Sequence, residues 1–175
     1  MYEINKAAVI GAGTMGLGIA GQLANAGIDV LLLDLPSDGE DRNAICQRAI
    51  ERLLDENQPG LLHKDLLERI AIGNIEDDLD KLADVDWIAE AVVKRLDIKK
   101  ALYERIDAVR KKGSIVSSNT STIPISLLVE DMPASFRSEF AITHFFNPVR
   151  YMRLLELVRG ESTKQDVIDC LERFN

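Results

Sequence analysis

The 175-residue sequence is short of cysteine, of basic charge and of long apolar runs, and each shortage excludes a class of protein. Its two cysteines, Cys46 and Cys170, form neither a metal-binding nor a redox spacing, so we interpret each as an isolated thiol in a reducing compartment. No apolar run approaches the length that crosses a bilayer. The 21 basic residues are outnumbered by 29 acidic ones, and the resulting net charge of −8 argues against a nucleic-acid-binding surface.

Sequence features that would mark a boundary between domains are also missing. No repeat, low-complexity tract or interdomain linker is visible, so we expect a single domain over residues 1–175. The first strand is predicted to start near Ala7, which leaves no room for a signal or transit peptide, and we expect a cytoplasmic location. An apolar content of 46% and a charged content of 29% are ordinary for a soluble globular protein.

The chain contains instead a regular alternation of short apolar runs and longer amphipathic stretches. This alternation is typical of an α/β fold, and right-handed crossovers would place the strands in one parallel sheet. We therefore predict a Rossmann-type, doubly wound, mostly parallel sheet with helices on both faces and a ligand crevice at the carboxyl ends of its strands. Strands are predicted at 8–10, 30–33, 70–72, 87–91 and 114–117, with a sixth ending near 144, and helical segments at about 14–26, 40–55, 64–69 and 97–112.

A glycine-rich turn follows the first strand. Gly11, Gly13 and Gly16 have the spacing G-x-G-x-x-G, which permits a sharp turn, a close approach of the backbone to a pyrophosphate, and tight helix–strand packing. Because this motif alone is weak, its context matters: a strand precedes it, Gly27 closes the following helix, and the second strand ends at Asp34. A carboxylate there accepts hydrogen bonds from the ribose and repels a 2′-phosphate, which predicts NAD rather than NADP or FAD. The alternative is a purely structural βαβ unit.

Two polar stretches after later strands are candidates for chemistry. Ser117-Ser-Asn-Thr-Ser121 either offers hydrogen-bonding groups to a ligand or serves as the turn before the next helix. His144 is one of only two histidines and lies where the sixth strand should end, a position that suits a general base. Glu156 is a carboxylate inside an apolar run and needs a partner, for which His144 is the candidate. The residues alone equally allow a structural histidine and a strand-edge charge.

Three motifs together resemble those of one enzyme family. They are Gly-Ala-Gly-Thr-Met-Gly at 11–16, Ser-Asn-Thr-Ser at 118–121 and His-Phe-Phe-Asn-Pro at 144–148. With these motifs the chain resembles the NAD-binding domain of the L-3-hydroxyacyl-CoA dehydrogenases of fatty-acid β-oxidation, and most of all the long bacterial dehydrogenase–hydratase type. The resemblance implies NAD as cofactor, an acyl-CoA substrate and oxidation of its 3-hydroxyl group.

The resemblance also implies a role for each matching residue. His144 would be the catalytic base that removes the C3 hydroxyl proton while C3 gives hydride to the nicotinamide, Glu156 would be its paired carboxylate, and Ser121 would hold the substrate oxygen. The residues implied to bind the cofactor are Gly11, Gly13, Thr14, Met15, Gly16, Asp34, Lys99, Asn119 and Asn147.

One departure from the family concerns charge near the cofactor. The family often has glutamate where this chain has Lys94, which leaves the nicotinamide-side contact at that position open. Lys94, Arg95, Lys99 and Lys100 form a basic cluster at the start of a predicted helix. The cluster is either a solvated face or a site for ligand phosphates.

The second departure concerns the end of the chain. The family continues into a helical domain that completes the active site and makes most of the contact of a homodimer, and we expect that domain to be absent here. A final helix is predicted with Val167, Ile168, Leu171 and Phe174 on one apolar face, which should fold back onto the sheet or pair with a second chain. Two alternatives therefore stay open: an NAD-binding module without useful turnover, and a related dehydrogenase acting on a sugar acid. The acyl chain length is not specified.

Overall fold

The structure is a computed structural model that describes residues 2–55, 57 and 59–173. Within these ranges the strands are β1 (Lys6–Ile10), β2 (Asp29–Asp34), β3 (Ile70–Asn74), β4 (Trp87–Glu90), β5 (Ile115–Ser118), β6 (Phe140–Phe145) and β7 (Leu155–Arg159). The α-helices are α1 (Thr14–Asn25), α2 (Ala44–Glu51), α3 (Leu96–Val109), α4 (Ile125–Leu128), α5 (Ala134–Ser138) and α6 (Gln165–Glu172). None of the described helices combines the length and the apolar character needed to cross a membrane.

All seven strands lie in one sheet, in the order β3-β2-β1-β4-β5-β6-β7. Strands β1 to β6 run parallel, and β7 pairs antiparallel with β6 at the sheet edge. The chain adds β2 and β3 on one side of β1, and β4 to β6 on the other. This reversal places a crevice outside the carboxyl ends of β1 and β4, where ligands bind in open α/β sheets. The predicted Rossmann-type fold is confirmed.

The core has two halves, one on each face of the sheet. Along β1, Ala7 and Val9 pack into the half that holds α1, α2 and α6, whereas Ala8 and Ile10 pack into the half that holds α3, α4 and α5. This alternation follows from the two-residue period of a strand that is buried on both faces. The sheet is therefore covered by helices on both sides, as the apolar runs predict.

The predicted apolar face of the last helix folds back onto the sheet. Val167, Ile168 and Leu171 of α6 are buried in the same half of the core as α1. Phe174, the fourth residue predicted on that face, lies outside the described residues. Burial against the sheet, rather than pairing with a second chain, accounts for this face.

Several elements differ from their predicted bounds or were not predicted. The helix predicted over 40–55 is limited to α2 and a 3-10 turn at Arg52–Leu54, and the segment Lys64–Arg69 is also 3-10. Strand β7 and helix α5 were not predicted. The apolar run around Glu156 was noted but not assigned to a strand, and in the structure only Leu155 of the five residues of β7 is buried, as at a sheet edge.

Candidate active site

The glycine-rich turn lies between the carboxyl ends of β1 and β4. Gly11 has a φ of +106°, and a Cβ atom at this position would lie 2.7 Å from the carbonyl oxygen of Ala91. A Cβ atom at Gly16 would lie 1.7 Å from the carbonyl oxygen of Gly11, so only glycine lets α1 approach β1 this closely. A Cβ atom at Gly13, by contrast, would meet nothing within 4 Å. The backbone at Gly13 is therefore open to an approaching ligand.

The amino-terminal end of α1 is not capped by a side chain. Gly13 occupies the cap position without a side-chain hydrogen bond, and the first turn contains no acidic residue. The exposed Thr14 accepts a hydrogen bond of 3.4 Å at Oγ1 from Nη2 of Arg52. Free N–H groups and the positive end of the helix dipole at an open glycine backbone fit the pyrophosphate of a dinucleotide.

Beside this turn lies a cavity of about 480 Å³. Three of its lining residues carry charged side chains, Asp34, Glu76 and Arg105. The other lining residues are Ile10, Gly11, Gly13, Leu35, Ile75, Ala91, Val92, Val93, Ile98, Ala101 and Leu102. An apolar cavity with a carboxylate at one edge suits an adenosine group, whose flat base is apolar on its faces and whose ribose hydroxyls are donors.

Asp34 orders the glycine-rich turn from the end of β2. Its Oδ2 atom accepts a hydrogen bond of 2.5 Å from the backbone N–H of Ala12, and its Oδ1 atom accepts one of 2.6 Å from that of Leu35. The side chain is half-buried and borders the cavity. Each carboxylate oxygen can accept a further hydrogen bond, so these two contacts leave capacity for a ribose.

His144 and Glu156 lie directly opposite each other on β6 and β7. The Nδ1 atom of His144 is 2.8 Å from Oε2 of Glu156, and the imidazole packs against the ring of Phe146 with the ring centroids 4.5 Å apart. No described residue forms a hydrogen bond with Nε2 of His144. Contrary to the expectation of a desolvated carboxylate, half of the Glu156 side chain is exposed. The pair has the geometry in which a carboxylate fixes the histidine tautomer and leaves the second ring nitrogen available.

The polar stretch 117–121 contacts β6 through Ser117, whose hydroxyl lies 2.8 Å from that of Thr143, and through Asn119. Oδ1 of Asn119 accepts a hydrogen bond of 2.8 Å from the backbone N–H of Phe145, the residue after His144. Ser121 and Asn147 are exposed, and no side-chain hydrogen bond is formed by either within the described residues. The structure thus joins Asn119 to the His144 strand, and it leaves Ser121 and Asn147 accessible.

Lys99 is not placed where it could touch a cofactor directly. Only 1% of its side chain is exposed, and its ammonium donates to Oε1 of Glu90 at 2.5 Å and to Oγ of Ser118 at 3.4 Å. Glu90, the last residue of β4, was missed by the sequence analysis. The signal was present: a lone carboxylate in an apolar strand needs a buried partner. In the same cluster, burial, together with the charge and the hydrogen bond of Glu90, raises the pKa of Tyr103 well above its usual value.

The basic cluster predicted at the start of α3 does not form one surface. Lys99 is buried, whereas Lys100 forms ion pairs with Glu130 and Asp131 at 2.9 and 2.7 Å. Arg95 is likewise paired, with Asp97. Lys94 is exposed and forms no ion pair with any described residue.

The sequence matches one family model over nearly its whole length. Residues 6–175 match the model described as the NAD binding domain of 3-hydroxyacyl-CoA dehydrogenase. A probable 3-hydroxyacyl-CoA dehydrogenase from Deinococcus radiodurans is 46% identical over 98% of this chain and 50% of that protein. A putative fatty acid oxidation complex trifunctional enzyme from Rickettsia felis is 44% identical over 98% of this chain and 24% of that protein.

Solved structures show the same relationship. The 3-hydroxybutyryl-CoA dehydrogenase of Escherichia coli K12 superposes with a TM-score of 0.84 at 32% identity, covering 98% of this chain and 36% of that chain. The (S)-3-hydroxybutyryl-CoA dehydrogenase of Ralstonia eutropha gives a TM-score of 0.81 at 31% identity, covering 98% of this chain and 59% of that one. The chain thus spans half or less of the length of each of these two curated relatives.

Proposed function

The chain belongs to the 3-hydroxyacyl-CoA dehydrogenase family, as its NAD-binding domain, and from this premise we propose that it supplies the cofactor site and the proton-transfer pair of an enzyme that oxidises L-3-hydroxyacyl-CoA to 3-oxoacyl-CoA in fatty-acid β-oxidation. The observation that carries the proposal is the pairing of His144 with Glu156 at the carboxyl end of β6. The glycine-rich turn lies at the same edge of the sheet, where the parallel strands end. We place the enzyme in the cytoplasm.

In the proposed site the residues of this chain hold the cofactor at three places. The open backbone at Gly13 and the first turn of α1, with Thr14 and Met15, bind the pyrophosphate, and Asp34 binds the adenosine ribose. Asn119 and Asn147 would hold the nicotinamide half of the cofactor, and Lys99 would act through Glu90 rather than by direct contact. When bound, NAD accepts a hydride from C3 of the substrate.

The proton of the substrate hydroxyl goes to the histidine. Nε2 of His144 takes the proton of the C3 hydroxyl, and Glu156 keeps the other nitrogen protonated and stabilises the imidazolium that results. Ser121, exposed after β5, holds the substrate oxygen. In the reverse reaction the imidazolium returns the proton to the carbonyl oxygen.

The longer relatives contain a region that this chain does not cover. We infer that a helical domain closes over the crevice, completes the acyl site and carries most of a homodimer contact. The runner-up is a chain that binds NAD without useful turnover, which the exposure of Ser121 and Asn147 supports. The family match favours acyl-CoA over a sugar acid.

The experiment is an assay of NADH oxidation with two substrates, acetoacetyl-CoA and the keto form of a sugar acid. It is run on the 175-residue chain and on a protein that continues through the length of its relatives. We expect acetoacetyl-CoA to be reduced by the longer protein and the sugar acid not to be. Reduction of the sugar acid alone, or of neither substrate by the longer protein, would refute the proposed activity.

A further inference from the structure

A buried carboxylate at the end of β4 connects three segments that border the crevice. The side chain of Glu90 is fully buried. Its Oε1 atom accepts hydrogen bonds from the backbone N–H of Val92 at 2.8 Å and from Nζ of Lys99 at 2.5 Å. Its Oε2 atom accepts from the hydroxyls of Tyr103 and Ser118, at 2.6 and 2.7 Å. One side chain thus contacts the loop after β4, helix α3 and the end of β5.

From Glu90 a continuous series of hydrogen bonds leads to the strand of His144. The backbone carbonyl of Glu90 accepts a hydrogen bond of 2.7 Å from the N–H of Asn119. Oδ1 of Asn119 in turn accepts from the N–H of Phe145 at 2.8 Å. Because Phe145 directly follows His144 in β6, the position of the imidazole depends on where the turn after Ser118 lies.

The ion pair of Glu90 and Lys99 is not needed merely to fill the core. Two buried charges lose their hydration, and an apolar pair of similar volume often stabilises a fold as well or better. An apolar pair cannot fix the relative positions of these three segments as closely. Each hydrogen bond of Glu90 does so, because it has a narrow range of distance and angle.

We propose that the Glu90–Lys99 pair is a positioning element of the active site. It sets the turn that begins at Ser118 and, through Asn119, the orientation of His144 toward the substrate hydroxyl. The inference rests on the proposed role of His144. A shift of about 1 Å at a reacting group can lower turnover by about a hundredfold, so a device that fixes the histidine strand has a large effect on rate.

The chain offers a matched control at the opposite end of the sheet. Nη1 of Arg110 is 2.8 Å from Oε2 of Glu139, and their side chains are 5% and 8% exposed. This pair joins the end of α3 to the residue before β6, at the amino end of the strands. It is buried almost as deeply as Glu90 and Lys99, but it does not contact the crevice.

The test compares two double variants that each replace both charged members of one pair. Glu90→Gln/Lys99→Met alters the crevice pair, and Arg110→Met/Glu139→Gln alters the control. Amide hydrogen exchange of Phe145 is measured in the 175-residue chain, and kcat and KM for acetoacetyl-CoA in the longer protein. In the crevice variant we expect exchange of Phe145 to rise and kcat to fall, each by about tenfold or more, with KM changed less than about threefold.

In the control variant we expect both quantities to stay within about threefold of the unmodified protein, even where its melting temperature falls. Equal effects of the two double variants, or unchanged kcat and Phe145 exchange in the crevice variant, would overturn the proposal. Ser118→Ala provides a second arm if the crevice variant does not fold, because it keeps both charges and removes the two hydrogen bonds that join the Ser118 hydroxyl to Glu90 and Lys99. It should also speed exchange at Phe145, and an unchanged exchange rate there would equally refute the proposal. Amide exchange of Phe145 does not depend on turnover. If His144 were not the base, the exchange measurement would still test whether the Glu90–Lys99 pair positions the strand.

Discussion

At the scale of single residues, Asp34 has two tasks in the proposed site. It accepts two backbone hydrogen bonds that order the glycine-rich turn, and it borders the cavity assigned to adenosine. A negative charge there repels a 2′-phosphate, so NAD should bind more tightly than NADP.

We predict that Asp34→Ala weakens NAD binding by about 1.5–3 kcal/mol, the range for hydrogen bonds to a charged group. It should also reduce the preference for NAD over NADP. Calorimetric titration with both cofactors measures these changes, and Asp38→Ala, in the exposed loop that follows, is the control. Equal affinity of the unmodified chain for the two cofactors would show that Asp34 is not the ribose acceptor.

Cys46 gives a prediction about pH. Burial, followed by the charge of Asp34, raises the pKa of the Cys46 thiol to about 12. The native state therefore keeps this proton between about pH 9 and 12, where the unfolded chain loses it, and stability must fall as the pH rises through that range. We also expect Cys46 to resist iodoacetamide at pH 8 unless the chain unfolds, because the thiolate is the reactive form. Rapid alkylation of Cys46 in the native chain, detected by mass spectrometry, would contradict this burial.

At the scale of elements, two glycines of the turn allow effects on folding stability to be distinguished from effects on NAD binding. Gly16→Ala places a Cβ atom 1.7 Å from a backbone oxygen, so we predict a large loss of both stability and NAD binding. Gly13→Ala meets no atom within 4 Å and has an ordinary φ of −67°, so stability should be nearly unchanged. Its methyl group would instead stand where the pyrophosphate approaches, and we expect the Kd for NAD to rise by about tenfold or more.

Thermal unfolding and NAD titration of both variants measure the two effects, with Gly39→Ala, also in open space, as the control. If Gly13→Ala bound NAD as tightly as the unmodified chain, the assignment of the pyrophosphate to this backbone would be wrong.

The elements also show how far the sequence alone can predict. The glycine-rich turn, the strand before it and Asp34 could be predicted because they form a short local unit with its own spacing rules. The pairing of Glu90 with Lys99 could not be, since a buried pair depends on how a strand end and a helix meet in the tertiary fold. Likewise, the position of Glu156 opposite His144 depends on the register of an antiparallel edge strand, which twelve residues of spacing do not determine.

At the scale of the whole molecule, activity should depend on more than this domain. The chain spans 50% of its Deinococcus relative, and its crevice leaves Ser121 and Asn147 exposed. Hydride transfer requires a substrate held at reacting distance and shielded from water. We therefore predict that the chain binds NAD, but that its turnover with acetoacetyl-CoA is at least about a hundredfold below that of the longer protein. Comparable rates from the two would show that these 175 residues contain a complete active site.

The central claim is that His144 is the catalytic base, and the two histidines of the chain allow a direct test. His144→Gln and His63→Gln remove the same kind of side chain, but His63 lies exposed before the 3-10 segment Lys64–Arg69, away from the sheet's carboxyl edge. The measurement is kcat for acetoacetyl-CoA reduction in the longer protein, with NADH affinity measured in parallel. We predict that His144→Gln lowers kcat by about two to four orders of magnitude with little change in NADH affinity, and that His63→Gln changes neither. A near-normal rate in His144→Gln would contradict the mechanism.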